Sequence, residues 1–271
     1  MPTTLFIPPP RQVYDRLGRD HFGATSYATY NYLGGGVIGK VKTQHFETAL
    51  GMARTMGVHG DVVDFGCADG VLLASLDNLY DSVVAVDIRP DFIEICAQVV
   101  ADLALSRTTT LCTEGLHWDQ TVERIGAGSK SAVFLLETLE HIGTRDEFYE
   151  SKIAFLLQLA RLLAADGVIV VSVPNMVGLS LLAQRAVLAV TRKYREPLSM
   201  GELARGVVLR DVSALEARWS NDDHLGFNHR ALELALKSSF DVVHRRNIGV
   251  NVVYALRPRV ATAPTGPVPP G

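Results

Sequence analysis

Net charge is nearly absent from this chain. Lys and Arg number 26 against 29 Asp and Glu, a formal balance of −3, so bulk charge gives no electrostatic case for a nucleic-acid binder and leaves only a local basic patch open. Cysteine is scarce too. Cys67, Cys96 and Cys112 sit in apolar stretches without C-x-x-C spacing, which predicts buried, reduced thiols in a cytoplasmic protein. No stretch offers the roughly 18 uninterrupted apolar residues of a spanning helix. The opening MPTTLFIPPP has no basic region followed by an apolar run, so no secretory leader is expected. What is plentiful is apolar side chain: 48% of 271 residues are hydrophobic and 20% charged. That is enough core for one large α/β domain with an insertion, or for two small domains.

Order along the chain favours the single α/β domain. Residues 1–42 read as an irregular entry segment with at most one short helix, and residues 43–56 as a helix behind a capping Thr43. Strands and helices then alternate. Strands are expected at 61–65 (DVVDF), 82–87 (SVVAVD), 108–113 (TTTLCT), 131–137 (SAVFLLE) and 168–174 (VIVVSVP). Helices are expected from GVLLASL, over 91–105, and over 147–167 with a C-terminal glycine cap. Strands this apolar are buried on both faces, which predicts a doubly wound, mostly parallel sheet. Residues 176–225 break the rhythm and read as a helical insertion or lid. A helix at 228–239 follows, then two runs joined at Gly249 that suit an antiparallel pair at the sheet edge. The Pro/Gly-rich residues 259–271 read as a disordered tail, and no internal repeat is present.

Two glycine-rich stretches compete as ligand loops. Residues 34–41, GGGVIGKV, match G-x-x-x-x-G-K, but Val41 stands where a phosphate loop needs Ser or Thr, and the segment precedes the sheet. It reads as a flexible entry segment, with Tyr30, Tyr32 and Lys40 as candidate ligand contacts. Residues 62–70, VVDFGCADG, leave a buried strand and open a helix, the setting a nucleotide-binding turn requires. Gly66 allows the tight turn, Ala68 a close backbone approach, and Gly70 a close helix start. Asp87 ends the second strand, where a carboxylate can accept both hydroxyls of a ribose. Asp64 and Asp69 would repel a pyrophosphate, yet they suit a ligand with a cationic or zwitterionic end.

DFGCADG, VVAVDIRPDFI, CTEG and LLETLEHI, in that order and spacing, resemble the class I S-adenosylmethionine-dependent methyltransferases over roughly residues 45–257. The resemblance implies a seven-stranded Rossmann-like sheet with an antiparallel last strand, in a domain spanning 43–258, and S-adenosylmethionine as cofactor. It implies that Asp64, Gly66 and Cys67 line the methionine end, in a loop completed by Ala68, Asp69 and Gly70. Asp87 would hold the ribose, Ile88 border the adenine, and Glu114 lie near the adenine amino group. Leu136 and Glu137, at the end of the fourth strand, count with the cofactor-binding residues. Ala68 departs from the family, which more often has glycine there.

A second constellation, ETLEHI at 137–142, follows the fourth strand and should open into the cleft at the strand ends. Glu137, Glu140, His141 and the distant His224 form a candidate set for Mg or Zn, which would lower the pKa of an acceptor hydroxyl. Without a metal, His141 serves as general base beside Glu140. The pattern resembles the ubiquinone-biosynthesis O-methyltransferases, and also the small-RNA 3′-terminal 2′-O-methyltransferases, which hold a metal with two Glu and two His. The first resemblance implies O-methylation of a small-molecule hydroxyl acceptor. The alternatives are 2′-O-methylation of an RNA 3′ end, against which the charge balance counts, and a non-catalytic cofactor-binding subunit. His229 reads as capping or facing solvent at a helix start. The apolar run 179–196, ending in Arg192, Lys193 and Arg195, reads as a lid over the acceptor pocket or a peripheral membrane contact. Oligomeric state is not legible.

Overall fold

A computed structural model describes residues 4–17, 26–144, 147–190, 197–216, 218–219 and 224–259. Three short or mid-length helices come first: α1 (Arg11–Leu17), α2 (Tyr27–Asn31) and α3 (Gly36–Thr55). The alternating part runs β1 (Asp61–Phe65), α4 (Leu73–Leu79), β2 (Ser82–Asp87), α5 (Pro90–Asp102), β3 (Thr108–Cys112), α6 (Trp118–Ile125), β4 (Lys130–Leu136), α7 (Phe148–Ala160) and β5 (Leu163–Pro174). The insertion supplies α8 (Leu179–Val190), α9 (Met200–Ala204), a π turn (Arg205–Leu209) and α10 (Ser213–Glu216). The chain closes with α11 (His229–Leu236), β6 (Phe240–Asn247) and β7 (Asn251–Pro258). Residues 260–271 and the basic Arg192, Lys193 and Arg195 lie outside the described residues, so the tail and the basic end of the 179–196 run are not placed.

The seven strands form one sheet in the order β3-β2-β1-β4-β5-β7-β6, with β7 antiparallel to both neighbours. Alternation within each strand sorts side chains between two cores. Val62, Ala132, Phe134 and Val170 pack beneath α3, α4 and α5, whereas Val63, Val133, Leu135 and Val171 pack beneath α6, α7 and α11. Both faces are therefore covered, as the apolar strands require. The strand order reverses between β1 and β4, which places a crevice outside their carboxyl ends. Among the described residues no helix is long and apolar enough to cross a membrane.

Several element boundaries differ from expectation. The helix expected from Thr43 begins seven residues earlier, at Gly36. Gly35 precedes it at φ +73°, a left-handed geometry that favours glycine. The Gly-rich stretch is thus a helix start, not a flexible segment, and Thr43 caps nothing: its hydroxyl donates back to Gly39 O at 3.0 Å inside the helix. The helix expected over 147–167 stops at Ala160. Tertiary pairing overrides the helical propensity of LLAADG: Gly128 N donates to Arg161 O, and Ser129 N and Lys130 N to Leu162 O, at 2.9–3.0 Å. Gly167 then lies inside β5 beside Lys130 O, and is no cap. α6 had no expectation. Only Thr121, Val122 and Ile125 of it are buried, a face too small to stand out, although Gln120 accepting from His117 N at 3.0 Å marks its start.

Candidate active site

The turn after β1 is held rigidly from below. Gly66 N and Cys67 N both donate to Val86 O, at 2.7 and 3.0 Å. Ala68 N donates to one carboxylate oxygen of Asp87 at 3.0 Å, and Arg89 N to the other at 2.9 Å. Asp87 therefore fastens the first loop to the end of β2, while its oxygens keep lone pairs for a further donor. Gly66 (φ +79°) leaves no room for a Cβ, which would strike the Thr138 side chain. Gly70 (φ +81°) is hemmed by Leu73 and Cys96 at 2.8 and 3.0 Å. Ala68 sits at φ +46°, a conformation that glycine adopts without strain.

Three acids cluster around this turn. Burial, reinforced by Asp87, pushes the Asp64 carboxyl up to about 7. Burial also raises Asp87, against the backbone N–H groups that favour its ionised form. Asp69 is fully buried and accepts from Ala28 N at 2.7 Å. It binds the turn to the start of α2, and burial lifts its pKa to about 6. Cys67 and Cys96 are reduced and buried, their sulfurs 3.6 Å apart. Ile88, next to Asp87, is 65% exposed despite its apolar side chain. Glu114 is exposed in the turn after β3, and Leu136 is buried against the α3 side of the sheet.

The N-terminal helices roof this crevice. The rings of Tyr27 and Tyr32 meet edge-on at 6.0 Å, and both phenols, raised chiefly by burial, feel the charges of Asp69 and Glu137. Tyr27 meets Phe92 edge-on at 5.9 Å, and Tyr32 packs on Phe46 at 5.0 Å. Tyr30 is at the surface with the Lys42 ammonium 5.9 Å from its ring. Lys40 is exposed.

At the far side of the crevice Glu137 follows β4, and its φ of +54° is unusual for a side-chain-bearing residue. Its backbone N–H donates to Ser172 O at 3.1 Å, and its carboxylate accepts from Ser172 Oγ at 2.9 Å and Asn251 Nδ2 at 2.5 Å. Burial and the nearby Glu140 raise it to about 8. The 3₁₀ turn Leu139–His141 follows. Glu140 is fully buried, neither of its carboxylate oxygens has a hydrogen-bond partner, and burial raises it to about 8. His141 Nε2 lies 4.0 Å from Glu140 Oε1, with about a third of its side chain exposed. His224 meets His141 edge-on at a ring separation of 5.0 Å. Burial, then His141 and Lys42, push His224 down to about 3.

Glu140, His141 and His224 bring ligand atoms within 4.8 Å of one another. Glu137, expected as a fourth ligand, falls outside that group, because Ser172 and Asn251 hold its carboxylate. His229 is not at the surface as expected: it is buried, while the Asn228 side chain caps α11 by accepting from Arg230 N at 3.0 Å. Sequence reasoning missed Tyr27, Ser172 and Asn251. Each reaches the crevice from an element with no motif of its own, so only the tertiary arrangement identifies them.

A family model described as a methyltransferase domain matches residues 46–196, more than half the chain, from within α3 through the 66–70 and 137–141 turns. The chain is a class I S-adenosylmethionine-dependent methyltransferase. Solved structures agree at the level of the fold. A protein from Pyrococcus horikoshii OT3 shares 14% identity at a TM-score of 0.57, covering 86% of this methyltransferase and 96% of itself. An S-adenosylmethionine-dependent methyltransferase from Clostridium acetobutylicum shares 9% at 0.52, covering 79% and 91%. Another such enzyme from Aquifex aeolicus shares 14% at 0.50, covering 80% and 96%. No curated protein matches the chain significantly.

Proposed function

We propose that the methyltransferase alkylates a hydroxyl oxygen of a small-molecule acceptor, in the crevice between the 66–70 turn and the 137–141 turn. One observation carries this reading: His141 stands partly exposed beside the fully buried, unpartnered Glu140 carboxylate, at the switch point where the cofactor turn also lies. The residues fit S-adenosylmethionine. Gly66 and Gly70 let the backbone come close, Asp64 faces the cationic amino-acid end, Asp87 the ribose, and exposed Ile88 the adenine. The cofactor supplies an electrophilic methyl group when bound. The chain's own part is to align the acceptor oxygen and remove its proton. His141 takes that proton on Nε2, and the Glu140 carboxyl 4.0 Å away, which ionises above its raised pKa of about 8, steadies the resulting imidazolium. Replacing His141 by Gln should lower turnover about a hundredfold or more and leave S-adenosylhomocysteine affinity unchanged, in an assay of homocysteine-thioether release over a panel of phenols and alcohols. Wild-type turnover in that variant would sink the role.

A second reading rests on Glu140, His141 and His224 as a divalent-ion site. Two imidazoles, with a carboxylate that has no hydrogen-bond partner, suit a borderline ion such as Zn better than Mg, and His224, pushed down to about 3 chiefly by burial, is neutral at physiological pH. A bound ion would act as a Lewis acid on the acceptor hydroxyl. Equilibrium dialysis with zinc tests it: stoichiometric uptake that Glu140→Gln abolishes supports the site, and uptake unaffected by Glu140→Gln refutes it.

The acceptor has an apolar body in our reading. On α8 the residues at the spacing i, i+3, i+4, i+7 (Leu179, Leu182, Ala183 and Ala186) all face outward. Met200, Val208 and Leu209 nearby in sequence are also exposed. Such a face suits a lid for an apolar acceptor, or a contact with the lipid surface that carries one.

A further inference from the structure

The turn that carries Glu140 and His141 is gripped by a group with no motif of its own. Lys152, on α7, is completely buried. Its ammonium donates to Ile142 O at 2.6 Å and to Glu140 O at 3.3 Å, so it bridges the two carbonyls on either side of His141. Trp219 Nε1 donates to the same Glu140 carbonyl at 3.1 Å. The rings of Phe148, Trp219 and Phe227 surround the ammonium at 4.1, 5.0 and 6.0 Å.

A buried ammonium is costly, and a leucine would fill an apolar helix face at no such cost. Cation–π contacts offset part of the penalty. What the charge achieves locally is backbone attachment. It spends its hydrogen bonds on carbonyls and leaves the Glu140 carboxylate without a hydrogen-bond partner, so the turn is fixed while its acid lies 4.0 Å from the His141 ring. Side chains also face the turn from elsewhere: Glu137 from just after β4, His224 from before α11, and Tyr27 from α2.

We infer that Lys152 is a positioning residue: bridging Glu140 O and Ile142 O, with Trp219 as second donor, it holds the Glu140 carboxylate and the His141 imidazole in register. This builds on the reading of His141 and Glu140 as working groups, but its test needs neither an acceptor nor a metal.

Protein labelled with ¹³C at the histidine Cε1 reports ring position directly, with His141 and His224 assigned through His141→Gln and His224→Gln. Lys152→Met keeps the length and apolar stem, and should move or broaden the His141 resonance while S-adenosylhomocysteine binds with unchanged affinity. Trp219→Phe keeps a ring, and should move the same resonance in the same direction by less. Phe227→Leu removes the most distant ring of the cage, 6.0 Å from the ammonium, while both donors keep their own side chains, and should leave His141 in place. A folded Lys152→Met with His141 at its wild-type position overturns the inference. So does a Phe227→Leu shift as large as that of Lys152→Met, since packing alone would then explain it. Should Lys152→Met fail to fold, Trp219→Phe decides: an unmoved His141 there is equally fatal. Loss of methyl transfer to every acceptor would bear on the proposed reaction and not on this positioning.

Discussion

Ala68 occupies a left-handed backbone position that costs a side-chain-bearing residue about 1 kcal/mol. The strain persists because Asp87 and Cys96 hold its backbone on both sides, through Ala68 N and Ala68 O. Ala68→Gly should therefore leave cofactor binding intact and raise stability slightly, part of the gain being lost to the looser unfolded chain. Thermal denaturation measures it, and a lower midpoint would contradict the strain. Gly66→Ala should do the opposite, because its methyl group meets Thr138. The glycines and Asp87 were legible in the sequence because a tight turn leaves a compositional mark. The left-handed Glu137 and the Asp69–Ala28 bond left none, since both depend on a distant partner.

Asp64 makes a pH prediction at the same scale. Its folded pKa, about 7, lies above the ordinary 3.8, so the native state holds a proton that the unfolded chain has released. Its contribution to stability is full below 3.8 and is lost as pH rises to about 7. The melting midpoint of the cofactor-free protein should carry that decline, and Asp64→Asn should flatten it. Cofactor affinity runs the other way. A cationic amino-acid end favours the ionised carboxylate, so S-adenosylhomocysteine should bind more tightly as pH rises toward 7 and then level off. Calorimetry across that interval checks the sign, and a flat profile in wild type would remove Asp64 from the methionine end.

Among the elements, those with a strong internal pattern were the ones read correctly: the apolar strands, α5 and α11. Boundaries failed where a neighbour decides. α3 starts at Gly36 because three glycines permit a turn there, and α7 ends early because residues 128–130, leading into β4, claim Arg161 and Leu162. The insertion was legible as helical, but not in what it buries: Leu181, Val212, Leu215 and Leu225 form a small core of their own, which turns the Leu179 and Leu182 side of α8 outward. Leu182→Glu should thus change the melting midpoint little, since that position is 43% exposed. If the face meets lipid, the substitution should release the protein from sedimenting phosphatidylcholine vesicles. If it lids an apolar acceptor, KM should rise with no vesicle effect. A variant unaltered in both assays would leave that face without the role proposed.

For the molecule as a whole, the alternation of strands and helices carried the fold, since a parallel sheet covered on both faces admits few arrangements. The same order places the 66–70 turn and the 137–141 turn side by side at the reversal of strand order, with Thr138 against Gly66. The roof of α1 and α2 was not legible, because its contacts (Ala28 on Asp69, Tyr27 on Phe92) join a weakly patterned segment to residues far along the chain. The central claim is that this crevice binds S-adenosylmethionine with its adenine against Ile88. The most direct measurement is calorimetric titration with S-adenosylhomocysteine on wild type and Ile88→Asp, a substitution at an exposed position that should not disturb folding. The account predicts clear binding by wild type, and a loss of about tenfold or more in the variant, as burying a carboxylate against adenine demands. A folded wild type that does not bind, or an Ile88→Asp variant that binds equally well, would contradict it.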